Sequence, residues 1–325
     1  MPAAEPLVRV VRSGLEESIH LGHVAVCDGR GRLHAWLGDP ERVVFLRSAA
    51  KPLQAAVCLS LIHEDLPDRE VAVMAGSHSG EPVHLAAVRG LLRRGGLGVS
   101  ALRCPPALPL DERAALAAGA RRRVHHACSG KHAGMLLACA RAGFDLPTYP
   151  ERGHPLQRRI LRAAARGIGT ARIRVGVDGC GVPVHGASLR AAATLYARLL
   201  EPDRSFGRIA PHVARVTEAM RAEPYLVAGR GRTDTALMRE VSGLLVKVGA
   251  EALYCAAVPA LGLGVAVKVA DGGERAAGPA LVHVLRELGV LGEDGIERLG
   301  PVARRPVLGG GRPVGELVPA FSLRR

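Results

Sequence analysis

The chain has 325 residues, of which 48% are hydrophobic, enough to bury a large core in one or two domains. Its formal net charge of +14 invites a phosphate-binding reading, but aromatic residues make up only 3% and the arginines are scattered, with Arg121-Arg122-Arg123 the one tight cluster, so no nucleic-acid partner is expected. There is no apolar run of about eighteen residues, and Met1-Pro2-Ala3-Ala4-Glu5 lacks the basic start and apolar block of a signal peptide; a soluble, cytoplasmic protein with no membrane partner is expected.

Residues 7–46 read as a meander of short strands at 7–11, 18–21, 23–26, 33–37 and 43–46, punctuated by Asp28-Gly29-Arg30-Gly31 and Gly38-Asp39-Pro40. The last run ends in Arg47-Ser48-Ala49-Ala50-Lys51-Pro52. Proline fixes its own φ and disfavours the helical region before it, so an amphipathic helix is expected to start around Lys51 or Pro52 and run to about 62, with Ser48 and Lys51 sharing one tight turn. A serine hydroxyl is weakly nucleophilic until a base lies within hydrogen-bond reach, and a neutral lysine amine is such a base. Desolvation, or the charge of Arg47, lowers the pKa of that amine. The plainer alternative is a helix start with Lys51 solvated in its first turn.

Residues 68–75 lead into Gly76-Ser77-His78-Ser79-Gly80-Glu81-Pro82-Val83-His84 and a helix over 83–92. Hydroxyls and backbone N–H groups ahead of a helix suit an anion or oxyanion, whereas His78 and His84 read most simply as hydrogen-bonded structural groups. From 101 to 165 the pattern is helical, broken at Cys104-Pro105-Pro106 and at 147–150, and it contains the polar segment His125-His126-Ala127-Cys128-Ser129-Gly130-Lys131-His132. A strand at 173–177 runs into Asp178-Gly179-Cys180-Gly181, where a carboxylate at a strand end suits a ligand. Helices at 189–200, 209–222 and 236–241 precede strands at 244–248, 253–258 and 264–270, and helices at 279–288 and 293–299. An antiparallel sheet built from both chain ends with helices inserted between them follows, an α/β (α+β) fold with its sheet part at about 1–47 and 173–325 and its helical part at about 48–172, together one catalytic unit.

Seven cysteines at wide spacings are expected to be reduced, buried thiols. Cys128 and Cys180 with a histidine suggest a metal, although Cys-x-x-Lys is not standard zinc spacing. Of 44 basic residues only four are lysines, Lys51, Lys131, Lys247 and Lys268, against 40 arginines. Where arginine so dominates, a retained lysine points to a need for an amine that can lose its proton, or for a slim stem. Lys247 and Lys268 interrupt apolar strands, which places them either at a sheet edge or facing a cleft.

Together, Glu17-Ser18-Ile19-His20 and the segments 43–54, 77–84, 128–134, 178–183, 233–238, 247–254 and 262–272 resemble, in order and over nearly the whole chain, the L-asparaginase II family of the rhizobial type. The resemblance implies hydrolysis of L-asparagine to L-aspartate and ammonia on a fold similar to serine β-lactamases and glutaminases, with Lys247-Val248-Gly249 on a strand facing the Ser-x-x-Lys turn. It implies two serine–lysine pairs, Ser48 with Lys51, and Ser79 or Ser77 with Lys247, Ser79 being slightly preferred. It further implies Asp178 on the substrate's α-amino group, Arg47 on its carboxylate, His78 beside the substrate, zinc on Cys128, Lys131 and Cys180, and a homodimer. Lys268 receives no role. A glutaminase or other serine–lysine amidohydrolase, and a non-catalytic small-ligand sensor, are the alternatives; the retained lysines argue against the sensor.

Overall fold

The computed structural model describes residues 3–325; Met1 and Pro2, the start of the segment read above for an export signal, lie outside the described residues. Strands β1 (Glu5–Arg12), β2 (Leu15–Asp28), β3 (Leu33–Leu37) and β4 (Val43–Phe45) open the chain, β5 (Arg174–Val177) and β6 (Pro183–Ser188) form an antiparallel hairpin in its middle, and β7 (Leu245–Gly249), β8 (Leu253–Val258), β9 (Leu263–Val269), β10 (Pro306–Gly309) and β11 (Arg312–Pro319) close it. The expected antiparallel sheet from both chain ends is present, in the order β10-β11-β1-β2-β9-β8-β7 with β3 also paired to β2.

Two differences from the expected strands have physical causes. The runs at 18–21 and 23–26 are one continuous strand, β2, because Gly22 is not a turn: a Cβ there would fall on the Lys268 carbonyl and on Leu7, so the glycine lets neighbouring strands approach. The β10–β11 hairpin carries Pro306 and Pro313, which argue against strands in sequence yet are tolerated on an edge pairing such as this one, and its turn uses Gly310 and Gly311 at φ 56° and 77°.

Contacts divide the chain into two compact units. A sheet unit comprises residues up to Ala49, Ala187–Leu200 and Gly231–Arg325; a helical unit comprises Ala50–Gly186 and Glu201–Arg230. The boundary read near residue 172 therefore leaves out a returning segment. Helix Ala210–Ala222 goes with the helical unit because it packs on helices Lys51–Leu59 and Asp68–Ala75.

In the sheet unit, β8 and β9 are apolar and buried on both faces except at Lys268, with helices Leu189–Arg198 and Glu274–Glu287 packed against them. In the helical unit, helix Lys51–Leu59, read above as amphipathic, has no exposed face: every residue of it is buried, Lys51 and Gln54 included. No helix among the described residues is long and apolar enough to cross a membrane.

The close packing of helix Leu189–Arg198 on β9 generates a stability test. A Cβ at Gly264 would fall on the Ala193 carbonyl and the Ala197 amide, so Gly264→Ala forces the helix off the sheet. We expect it to destabilise the chain by about 1–3 kcal/mol in urea denaturation, the usual range for overpacking. Gly153→Ala, whose Cβ meets nothing within 4 Å, should stay within about 0.5 kcal/mol of the parent.

Candidate active site

In the helical unit the site is organised by Lys51. A short 3-10 turn, Arg47–Ala50, runs directly into helix Lys51–Leu59, and Pro52 occupies its first turn as the spacing predicts. Lys51 has no solvent exposure, which removes the solvated-lysine reading. An ammonium buried this completely must be satisfied or must neutralise. Its Nζ donates to Gly76 O at 2.5 Å, to Ser77 Oγ at 2.9 Å and, at 3.5 Å, to Ala127 O. Gly76 caps the C-terminal end of helix Asp68–Ala75, where carbonyls carry the negative end of the helix dipole. The hydroxyl partner of Lys51 is thus Ser77, in place of the expected Ser48: Lys51 opens an α-helix and turns inward to the Gly76–Ser77 bend.

Burial is the largest influence on the Lys51 amine and pushes its pKa below the ordinary lysine value of 10.5; the sulfurs of Cys128 and Cys180 oppose this and Lys131 reinforces it.

The Ser77–Gly80 segment is held by backbone pairing, Ser77 N–H to Val227 O at 2.7 Å and Ser79 N–H to Ala228 O at 2.8 Å. Ser79 also donates its hydroxyl to Ala228 O at 2.7 Å and is 2% exposed. That hydroxyl holds the loop, so of the two serines it is Ser77 whose hydroxyl meets the Lys51 amine.

His78 is likewise consumed by the protein. Ser129 Oγ donates to Val124 O and accepts from His78 Nε2 at 2.9 Å, while His78 Nδ1 accepts the Gly80 N–H at 3.2 Å. With no exposure and both nitrogens engaged, His78 positions the loop and does not present a donor to substrate. Burial, assisted by His84, holds it well below the usual histidine value, so it stays neutral. His84 stacks on it with ring centroids 5.3 Å apart.

Beside Lys51 lies the cluster the sequence suggested for a metal. Cys128 precedes helix Ser129–Ala142, Lys131 lies in its first turn, and Cys180 follows β5. Lys131 Nζ is 3.0 Å from Cys180 Sγ and 3.9 Å from Asp178 Oδ2, and Cys180 Sγ is 3.6 Å from Asp178 Oδ2. The hydrogen bond from the Cys180 thiol draws the Cys128 pKa well below the usual thiol value, against its burial and with help from Lys51 and Lys131. Cys180, which gives that hydrogen bond and is itself buried, is pushed up. For Lys131 burial works against the charge but is outweighed by Cys180, Cys128 and Asp178, so its pKa rises.

The four groups therefore lean in opposite directions, Lys51 and Cys128 toward their deprotonated forms and Cys180 and Lys131 toward their protonated ones. Among the described residues no three of His, Cys, Asp and Glu converge on a metal position.

Two further groups belong to the sheet unit. Arg47 has φ 49°, a left-handed conformation that is strained for a non-glycine residue, immediately before the half-buried Ser48. On β7, the fully buried Lys247 donates to Val248 O at 3.1 Å and lies 3.6 Å from Asp234 Oδ1. Asp234, also with no exposure, accepts the Val248 N–H at 2.7 Å and faces Tyr254 Oη at 3.4 Å. Sequence reasoning gave Asp234 no role; the available signal was a carboxylate flanked by Thr233 and Thr235 ahead of an apolar strand that carries a lysine.

The profile of the L-asparaginase II family matches residues 8–319. A comparison with curated proteins finds no match. Among solved structures the chain is similar to a β-lactamase from Mycobacterium bovis, at 16% identity and TM-score 0.41 over 82% of this chain and 94% of that one. It is similar to simvastatin synthase from Aspergillus terreus at 14% identity and TM-score 0.39, over 76% of this chain and 86% of that one. The third similarity is to Mglu in its tris and glutamate form, at 14% identity and TM-score 0.36, over 89% of this chain and 64% of that one. Matched by the family profile over nearly its whole length, the chain belongs to the L-asparaginase II family and is an asparaginase-like amidohydrolase.

Proposed function

We propose that the protein hydrolyses the side-chain amide of L-asparagine to L-aspartate and ammonia, through a serine ester with Lys51 as the proton acceptor. The observation that supports this best is the buried Lys51 amine held 2.9 Å from Ser77 Oγ. An amine with a lowered pKa takes a hydroxyl proton at a pH where an ordinary lysine is fully protonated. Ser77 Oγ then attacks the amide carbon, and Lys51 returns the proton to the departing nitrogen, so that ammonia leaves and a β-aspartyl ester remains. Water, deprotonated by the freed Lys51, cleaves the ester and regenerates Ser77. Asp178, a partly exposed carboxylate after β5, is the proposed anchor for the substrate's α-amino group.

One observation favours a second reading, in which Ser48 carries the ester. The strained Arg47 at φ 49° directly precedes Ser48, and Ser48 is more accessible than Ser77, which is 7% exposed.

We also propose that Cys128, Lys131 and Cys180 hold zinc. What supports this is the donor set: two thiols, Cys128 drawn toward thiolate, and the Lys131 amine 3.0 Å from Cys180 Sγ. Bound there, zinc would supply Lewis-acid polarisation of a ligand oxygen. Lys131 must lose its proton to coordinate, so binding should strengthen as pH rises.

Four outcomes are expected. Lys51→Arg should retain less than about a tenth of parental kcat/KM on asparagine, because a guanidinium cannot accept the proton and general-base catalysis typically contributes ~10²- to 10⁴-fold. In the parent, kcat/KM should rise with pH along a limb centred below 10.5, since the base is active only once deprotonated. Acid quenching during turnover followed by peptide mass spectrometry should find the β-aspartyl ester on the Ser77 peptide. An ester on the Ser48 peptide selects the second reading, and an ester on neither, with Ser77→Ala and Ser48→Ala both active, ends the serine mechanism. Glutamine assayed alongside asparagine distinguishes asparaginase from glutaminase. Elemental analysis should find about one zinc per chain, lowered in Cys180→Ser.

A further inference from the structure

Lys268 is not on a sheet edge. It lies on β9 between β2 and β8, opposite His23 on one side and Leu253 on the other. It faces a cavity of about 210 Å³ built wholly from the sheet unit and lined by His23, Arg42, Phe45, Arg47, Glu251 and Lys268 among others. This is smaller than the ~300–1,000 Å³ of pockets for drug-sized ligands, and suits a small metabolite.

Three groups present unused hydrogen-bond donors there. His23 is only 5% exposed; its Nδ1 accepts the Asp39 N–H at 3.0 Å, which puts the ring proton on Nε2, and Nε2 has no acceptor among the described residues. Lys268 Nζ spends two donors on Glu251 O at 2.5 Å and Val269 O at 2.6 Å and keeps a third. The Arg42 guanidinium makes no hydrogen bond or ion pair among the described residues.

Among the lining residues Arg42 and Lys268 stand against one carboxylate, Glu251. Glu251 and Ala252 both adopt left-handed φ, 63° and 54°, in the β7–β8 turn, a strained turn that brings the Glu251 carbonyl onto Lys268. The remaining wall is apolar, with the half-exposed Val43 and Phe45.

We propose that this cavity is a ligand site for a small organic carboxylate, its charge met by Arg42, Lys268 and the His23 Nε2–H and its carbon body lying on Phe45 and Val43. The site does not depend on the amidase reading, since neither Lys51 nor Ser77 takes part.

Isothermal titration of the full chain with succinate tests it. Succinate should bind the parent, and both Arg42→Ala, a change at an exposed residue, and Lys268→Met should weaken it by about tenfold or more, as expected for losing one hydrogen bond to a charged group. Inorganic phosphate should bind more weakly than succinate, because it gains nothing from the apolar wall. Lys51→Ala should leave the succinate affinity unchanged. The proposal is overturned if succinate does not bind, if Arg42→Ala and Lys268→Met bind it as the parent does, if Lys51→Ala abolishes binding, or if phosphate binds as tightly as succinate.

Discussion

The constraint on which the site depends is the burial of one amine. Lys51 has no exposure, so its three donors must be met by the protein and its charge is disfavoured by desolvation. Both requirements are met at one place: the Gly76 carbonyl at the end of helix Asp68–Ala75 and the Ser77 hydroxyl just after it. That placement fixes the Gly76–Ser77 bend, and the backbone bonds of Ser77 and Ser79 to Val227 and Ala228 fix the rest of the loop. A group satisfied for structural reasons is thereby left beside a hydroxyl with a depressed proton affinity, which is what a base requires.

The neighbouring thiols extend the same electrostatics. Cys128 is drawn toward thiolate by Cys180, Lys51 and Lys131 although it is buried, and the pKa of Lys131 rises, against its own burial, because Cys180, Cys128 and Asp178 surround it. Two lysines in one cluster thus have opposite tendencies, set by which of them faces the acidic groups. Packing enforces the arrangement: a Cβ at Gly130 would strike the Val73 carbonyl, so this first-turn residue has to be glycine for helix Ser129–Ala142 to lie against helix Asp68–Ala75.

Much of this was legible in the sequence, and the limits were specific. The strand-to-helix passage at 47–52 was readable because proline fixes the helix start, and the scarcity of lysine pointed to chemistry: Lys51 and Lys247 have no exposure, Lys131 has 3%, and Lys268 lines a cavity. The partner of Lys51 was not readable. Spacing of three residues puts Ser48 near in sequence, whereas the inward turn of a fully buried helix delivers the amine to Ser77, a tertiary fact without a local signature. Ser79 looks as reactive as Ser77 in sequence, and only its hydrogen bond to Ala228 shows that it holds the loop, while His78, read as a structural group, holds it through Ser129. The β10–β11 hairpin was hidden by prolines that an edge pairing tolerates.

The proton affinity of Lys51 is the most direct measure of the account. Because the chain has only four lysines, isotopic labelling of lysine gives an NMR spectrum simple enough to assign by substitution and to titrate site by site. The account predicts that the resonance lost in Lys51→Met titrates below 10.5. A Lys51 resonance that remains that of an ammonium through pH 10.5 would contradict the assignment of Lys51 as the base.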